Sequence, residues 1–202
     1  MSAIASAIVA KVAKAALSYA RSWAKKDCRV RGKWAGTYTT TPATKEEAER
    51  TGYSDWKKCV RVTVDSRDPL RFIHESGAEW AIGSGLISDG GSIPSWAQMT
   101  LGRWLDLKPY SEKKKLGFFL HDEGYHNGGI WMRPTADSPW QFVPCTRAMV
   151  DMLLFQSMAG TNADKRLIYE AVKSPFGRRS WNRCQRLIKA NLTKRQQPKE
   201  IP

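Results

Sequence analysis

Histidine and cysteine are scarce in this chain, and acidic side chains are outnumbered. The four cysteines, Cys28, Cys59, Cys145 and Cys184, stand far apart with no C-x-x-C pair. That spacing argues against a disulfide framework or a zinc ribbon and reads as reduced thiols. No apolar run approaches the roughly 20 residues a membrane span needs. The most apolar opening stretch is interrupted by Lys11 and Lys14 and has no charged segment before it, so neither a transmembrane helix nor a standard signal peptide is expected. Repeats, collagen-like triplets and low-complexity tracts are missing as well. What remains is a chain of 202 residues, 42% apolar with 9 Trp, long enough for one sizeable core.

The shortage of acid is local. Residues 1–26 hold 5 basic and no acidic side chains, residues 27–159 hold 17 and 16, and residues 160–202 hold 11 and 3, giving a net charge of +14. Cationic ends of this kind suit an anionic membrane surface, nucleic acid or an acidic protein partner, or form a solvated surface with flexible tails. Residues 2–26 read as an amphipathic helix, with Ile4, Ile8, Val12, Ala16, Tyr19 and Trp23 on one side and Lys11, Lys14, Arg21 and Lys25 elsewhere. Such a helix lies in a membrane interface through Lys11, Lys14, Arg21 and Trp23, or packs on its own domain or a sister copy as an oligomer contact.

Residues 33–42 read as a strand, and residues 44–50 as a short helix opened by a Thr-x-x-Glu capping pattern. Val60, Val62 and Val64 alternate with Arg61 and Thr63, the period of a half-buried strand. Residues 71–74 and 79–82 flank a hairpin turn, where His74 reads as a surface or packing residue. Helices are expected at 94–104, from the Ser111 cap to the Asn127-Gly128-Gly129 stop, at 145–159, at 162–173 and at 180–192, with residues 130–144 as a loop able to rim a pocket. The fold class expected is α+β, a small N-terminal antiparallel sheet followed by a helical part. Its organisation would be an N-terminal helix over 1–26, a single domain over 27–192 with its core at 57–182, and a basic mobile tail over 193–202.

The chemistry-bearing residues concentrate on one helix. At 100° per residue His121, Asp122 and Tyr125 fall within about a 100° arc of a helix otherwise lined by Leu116, Phe118, Phe119 and Leu120. A polar trio on an apolar helix is a buried hydrogen-bond network or a site. Asp151 lies on another expected helix, in register with Leu154, Phe155 and Met158, so it turns toward the core and needs a partner. Asp89 opens a Gly90-Gly91 turn, where its carboxylate either offers a hard oxygen to a cation or caps the helix beginning near Pro94.

The order Asp89-Gly90-Gly91-Ser92-Ile93-Pro94, then His121-Asp122-x-x-Tyr125, then Asp151-x-x-x-Phe155, then Ser180-Trp181, resembles a domain family of unassigned function common in tailed-phage genomes. It covers roughly residues 57–182 and implies a protein of the phage virion or the infected host cell, with the inner membrane or periplasm as its place. The His121-Asp122-x-x-Tyr125 helix followed by Asp151 is also similar to the phospholipase A2 families, secreted and parvoviral, the latter without disulfides. That resemblance implies His121 as general base, Asp151 as the group orienting its ring, Tyr125 on the Asp151 carboxylate and Asp122 as a ligand of Ca2+, with Asp89 as a further oxygen. Here the glycine-rich stretch, residues 83–91, lies at least 30 residues before the His-Asp pair, whereas the family's calcium loop lies close before it. Two other readings stay open. One is a metal-dependent phosphohydrolase or cell-wall hydrolase using His121, Asp122, Asp151 and Asp89. The other is a virion or host-interaction protein, in the tail or at membrane or DNA, whose trio and Asp151 form a polar core.

Overall fold

The computed structural model describes residues 30–53, 55–91, 112–159 and 162–191. The helices expected at 2–26 and 94–104, the Ser111 cap, the tail after residue 192, Cys28, and the residues Lys11, Lys14, Arg21 and Trp23 lie outside the described residues.

The expected strand over 33–42 is two strands. β1 (Gly32–Ala35) and β2 (Tyr38–Pro42) are separated at Gly36, whose φ of 90° lets the chain leave one sheet for another. A side chain at this position would meet the Pro69 carbonyl oxygen at 2.2 Å. Helix α1 (Lys45–Thr51) begins as the capping pattern requires. Thr44 Oγ1 accepts from the Glu47 amide, Glu47 Oε2 accepts from the Thr44 amide, and left-handed Gly52 ends the helix. After a 3-10 turn at Trp56–Lys58 come β3 (Val60–Val64), β4 (Arg71–His74), β5 (Glu79–Ala81) and β6 (Leu86–Ser88). The β4–β5 hairpin forms where expected, with Phe72 opposite Trp80.

Helix α2 (Glu112–Asn127) stops at Gly128, φ 71°, and β7 (Gly129–Arg133) and β8 (Gln141–Pro144) follow. These two strands correct the ends of the loop expected over 130–144, while residues 134–140 between them remain a loop, of which residues 136–140 line a pocket with residues 66–69 and Arg71. Ile130 and Met132 are buried while β7 pairs with β5 in register Trp80↔Met132, so a segment rich in Trp and Pro is recruited as sheet by its neighbour. Helices α3 (Arg147–Ser157), α4 (Asn162–Lys173) and α5 (Pro175–Asn191) complete the chain. α5 begins five residues before the expected 180, with Pro175 in its first turn, where the missing N–H costs nothing. The fold is α+β as expected: a five-stranded sheet in order β1-β4-β5-β7-β8 and a three-stranded sheet in order β2-β3-β6, every pairing antiparallel.

Helix α2 is the hub, packed against α3, α5, β6 and β7. Phe119 and Leu120 are fully buried with Phe72, Ile82, Ile130 and Val150, each such side chain stabilising by about 1.5–3 kcal/mol. Its contact with α3 is set by two glycines seven residues apart. A Cβ on Gly117 would lie 2.9 Å from the Met158 Cβ, and one on Gly124 would lie 2.6 Å from Val150 Cγ2. The pairing 117 with 158 and 124 with 150 runs the helices antiparallel at close range. Between these two contacts sits His121.

Candidate functional site

The close approach of α2 and α3 brings together the residues expected to form a site. His121 Nε2 lies 3.3 Å from Asp151 Oδ1, and the Tyr125 hydroxyl donates to that same oxygen at 3.0 Å. The imidazole stacks on the Tyr125 ring at 4.1 Å between centroids, and Trp181 of α5 meets Tyr125 edge-on at 4.9 Å. Ring stacking and hydrogen bond together fix the His121 rotamer. Asp151 Oδ2 is buried without a hydrogen bond, and Arg147 Nε stands 3.7 Å from it.

The other imidazole nitrogen, Nδ1, lies 3.4 Å from Asp122 Oδ1, and both contacts of the ring are longer than the roughly 2.7–2.9 Å of a strong charge-assisted bond. Asp122 Oδ2 is occupied by two hydroxyl donors, Ser88 at 2.5 Å and Tyr53 at 3.1 Å. Tyr53 follows α1 and Ser88 ends β6, so three separate parts of the chain hold this carboxylate. Since the Tyr53 hydroxyl donates to Asp122, it accepts from His126 Nε2 at 2.8 Å, leaving His126 Nδ1 to accept from the Cys184 thiol at 3.6 Å. A chain of polar groups therefore runs from Cys184 on α5 through His126, Tyr53 and Asp122 to His121 and Asp151.

Burial alone would lower the His121 pKa, but its hydrogen bonds to Asp122 and Asp151, and the charges of both, prevail and raise it above the ordinary 6.5. Burial also raises Tyr53, helped by the nearby Asp122 and Asp89 charges, and raises Tyr125, helped by Asp151. Both phenols therefore stay protonated as donors. Burial, with the Asp122 charge beside it, pushes the Cys184 thiol up to about 11, so it is not a thiolate nucleophile at neutral pH. Cys59, Cys145 and Cys184 are all unpaired thiols. His74, buried beside Trp80 with Ser76 on its Nδ1, is a packing residue as expected.

Asp89 occupies the turn the glycines imply. Its Oδ1 accepts from the Gly91 amide at 3.0 Å, Gly90 donates to Ser88 Oγ at 3.0 Å, and both glycines have positive φ. Gly91 is pressed on α2, where a Cβ would meet the Phe118 ring at 2.5 Å. This seats Ser88 against Asp122.

The expected Ca2+ site does not fit this donor set. Calcium takes six to eight oxygens. Here one Asp122 oxygen is filled by two hydroxyls, the other faces His121, and Asp89 Oδ1 accepts from its own turn. Among the described residues no three His, Cys, Asp or Glu side chains converge as a metal-ligating group.

Sequence reasoning singled out His121, Asp122, Tyr125 and Asp151, and the structure joins to their network Ser88, Tyr53, His126 and Cys184, which that reasoning did not single out. His126 had a local signal, since it stands four residues after Asp122 on the same helical face. Tyr53, Ser88 and Cys184 had none, because only tertiary packing carries them to Asp122 and His126. No family model, curated protein or solved structure matches the chain.

Proposed function

We propose that the chain is a hydrolase in which His121 is the general base, positioned by Asp151, acting on an ester at the host envelope during phage infection. The observation that carries this reading is the convergence of His121 Nε2 and the Tyr125 hydroxyl on a single oxygen of Asp151. A carboxylate held in this way fixes the ring's direction and stabilises the imidazolium formed when the ring takes a proton from water. In this reading the proton is taken at Nδ1, which faces Asp122 at 3.4 Å much as Nε2 faces Asp151 at 3.3 Å. The His121 and Asp122 side chains retain 9% and 10% of their surface, against 2% for Asp151, so in this reading substrate would have to approach from the His121–Asp122 side. The phage setting follows from the motif resemblance, and no step is assigned to a metal. Contact with an anionic membrane or with other virion proteins through residues 1–26 belongs to the same proposal.

Carboxyl esters and phospholipid vesicles tested with the parent protein and His121→Ala decide the matter. Turnover by the parent and its loss in a folded variant support the reading. A second reading, a polar core in a non-enzymatic virion or host-interaction protein, is favoured by both imidazole nitrogens facing carboxylates. It predicts no turnover of any ester or phosphoester, with His121→Ala acting only on the melting temperature.

A further inference from the structure

Helix α5 divides its surface between cations and apolar side chains. At 100° per residue, Arg178, Lys189, Arg186, Arg179 and Arg183 fall within an arc of about 140°. All five are exposed and no acidic residue occurs on the helix. From Arg178 to Lys189 the stripe runs about 16 Å at 1.5 Å per residue. Part of the remaining arc faces inward, while Phe176 and Ser180 on it are exposed. Trp181 packs on Tyr125, Cys184 is buried beside His126, Leu187 lies against Gly52 and Ile188 against Gly128.

Arginine is more often paired elsewhere among the described residues, although Arg50 and Arg67 also lack an ion pair. Arg31 pairs with Glu75, Arg61 with Glu47, Arg71 with Asp68 and Glu79, Arg133 with Glu79, and Arg147 with Asp151. None of the five α5 cations has an ion pair among the described residues, and Arg179 lies over the Phe176 ring. We infer that this face binds the phosphodiester backbone of nucleic acid. Three observations select that partner. The cations are mostly arginine, whose planar fork suits phosphate oxygens. A duplex presents one negative charge per 1.7 Å of axis, so the 16 Å stripe spans roughly ten phosphates. A membrane-interface helix must insert its apolar side, whereas Trp181 and Cys184 of α5 are packed into its own domain and Phe176, 56% exposed, is the one large apolar side chain the helix leaves in the open among the described residues. Binding of this kind is independent of sequence and of the hydrolase reading.

The test uses the full chain and a fluorescent 24-base-pair duplex of mixed sequence, with anisotropy read from about 50 to 200 mM salt. Each neutralised phosphate contact contributes about 0.9 to the slope of log K against log salt, so R179Q/R186Q flattens that slope by about 1.8. Over a fourfold change in salt this is about a 12-fold smaller loss of affinity. The charge-retaining R179K/R186K keeps the parent slope within error, and unchanged melting curves show that both variants fold. A slope equal to the parent's in R179Q/R186Q overturns the inference, because the contacts then lie elsewhere in the chain. Binding to phosphatidylglycerol vesicles with none to the duplex overturns it as well.

Discussion

The glycines of α2 allow a prediction in which packing and candidate chemistry are tied together. Gly124→Ala adds one methyl group to a helix interior, and at an exposed site this would stabilise by about 0.8–1 kcal/mol through helix propensity. At Gly124 the new Cβ would lie 2.6 and 2.9 Å from the two Val150 methyl carbons, and Val150 is fully buried. Helices α2 and α3 must then separate, at a cost of about 1–3 kcal/mol for overpacking. The net expectation is a loss of about 0–2 kcal/mol in place of a gain. The separation acts where Asp151 faces His121 at 3.3 Å, so the loss of turnover should exceed what the loss of stability explains. Chemical denaturation of the parent, Gly124→Ala, Val150→Ala and the double variant forms a thermodynamic cycle. Val150→Ala removes the two offending methyl groups, so the double variant should be more stable than the sum of the single effects by at least about 1 kcal/mol. Stabilisation by Gly124→Ala alone, or strict additivity in the cycle, would refute the claim that these glycines set the helix separation.

Asp151→Asn preserves size but removes the charge behind the imidazolium, and turnover should fall roughly 10²- to 10⁴-fold with KM little changed; an equal fall in affinity and rate would contradict a positioning role. Because the folded pKa of His121 is raised above 6.5, its protonated form contributes stability that is fully present below 6.5 and lost as pH climbs through the folded value. Thermal melts of the parent and His121→Gln should therefore converge as pH rises above 6.5, and divergence would reverse the sign of the argument. Turnover should show the opposite trend, rising with pH above 6.5 as Nδ1 is released. Asp122→Asn removes one of the carboxylates raising the His121 pKa, so the pH-activity profile should shift to lower pH without recovery by added Ca2+; recovery would make Asp122 a calcium ligand after all. Deleting residues 1–26 should weaken sedimentation with anionic vesicles while leaving the cooperative melt of the domain in place, and unchanged sedimentation removes the membrane contact from the proposal.

Some of this protein was written in local sequence. The Val60–Val64 alternation has period two, Thr44 and Glu47 form a reciprocal cap, and Asn127-Gly128 ends a helix; each works within a few residues and each survives in the fold. The same is true of His121, Asp122 and Tyr125, which share a face by helical geometry alone. The inward turn of Asp151 followed from its place among Leu154, Phe155 and Met158. What local sequence did not decide was decided by pairing at long range. Residues 129–133 and 141–144 became strands because β5 offered an open edge to β7, and residues 33–42 became two strands because Gly36 let the chain change sheets. The same holds for the setting of Asp122. A carboxylate next to a histidine reads equally well as a metal ligand or as a hydrogen-bond acceptor, and only the arrival of Tyr53 and Ser88 from two distant segments filled its second oxygen with hydroxyl protons. Sequence periodicity fixes which face a side chain takes, whereas the groups waiting on that face are chosen by loop closure and sheet order, which act across 69 residues in the case of Tyr53 and Asp122.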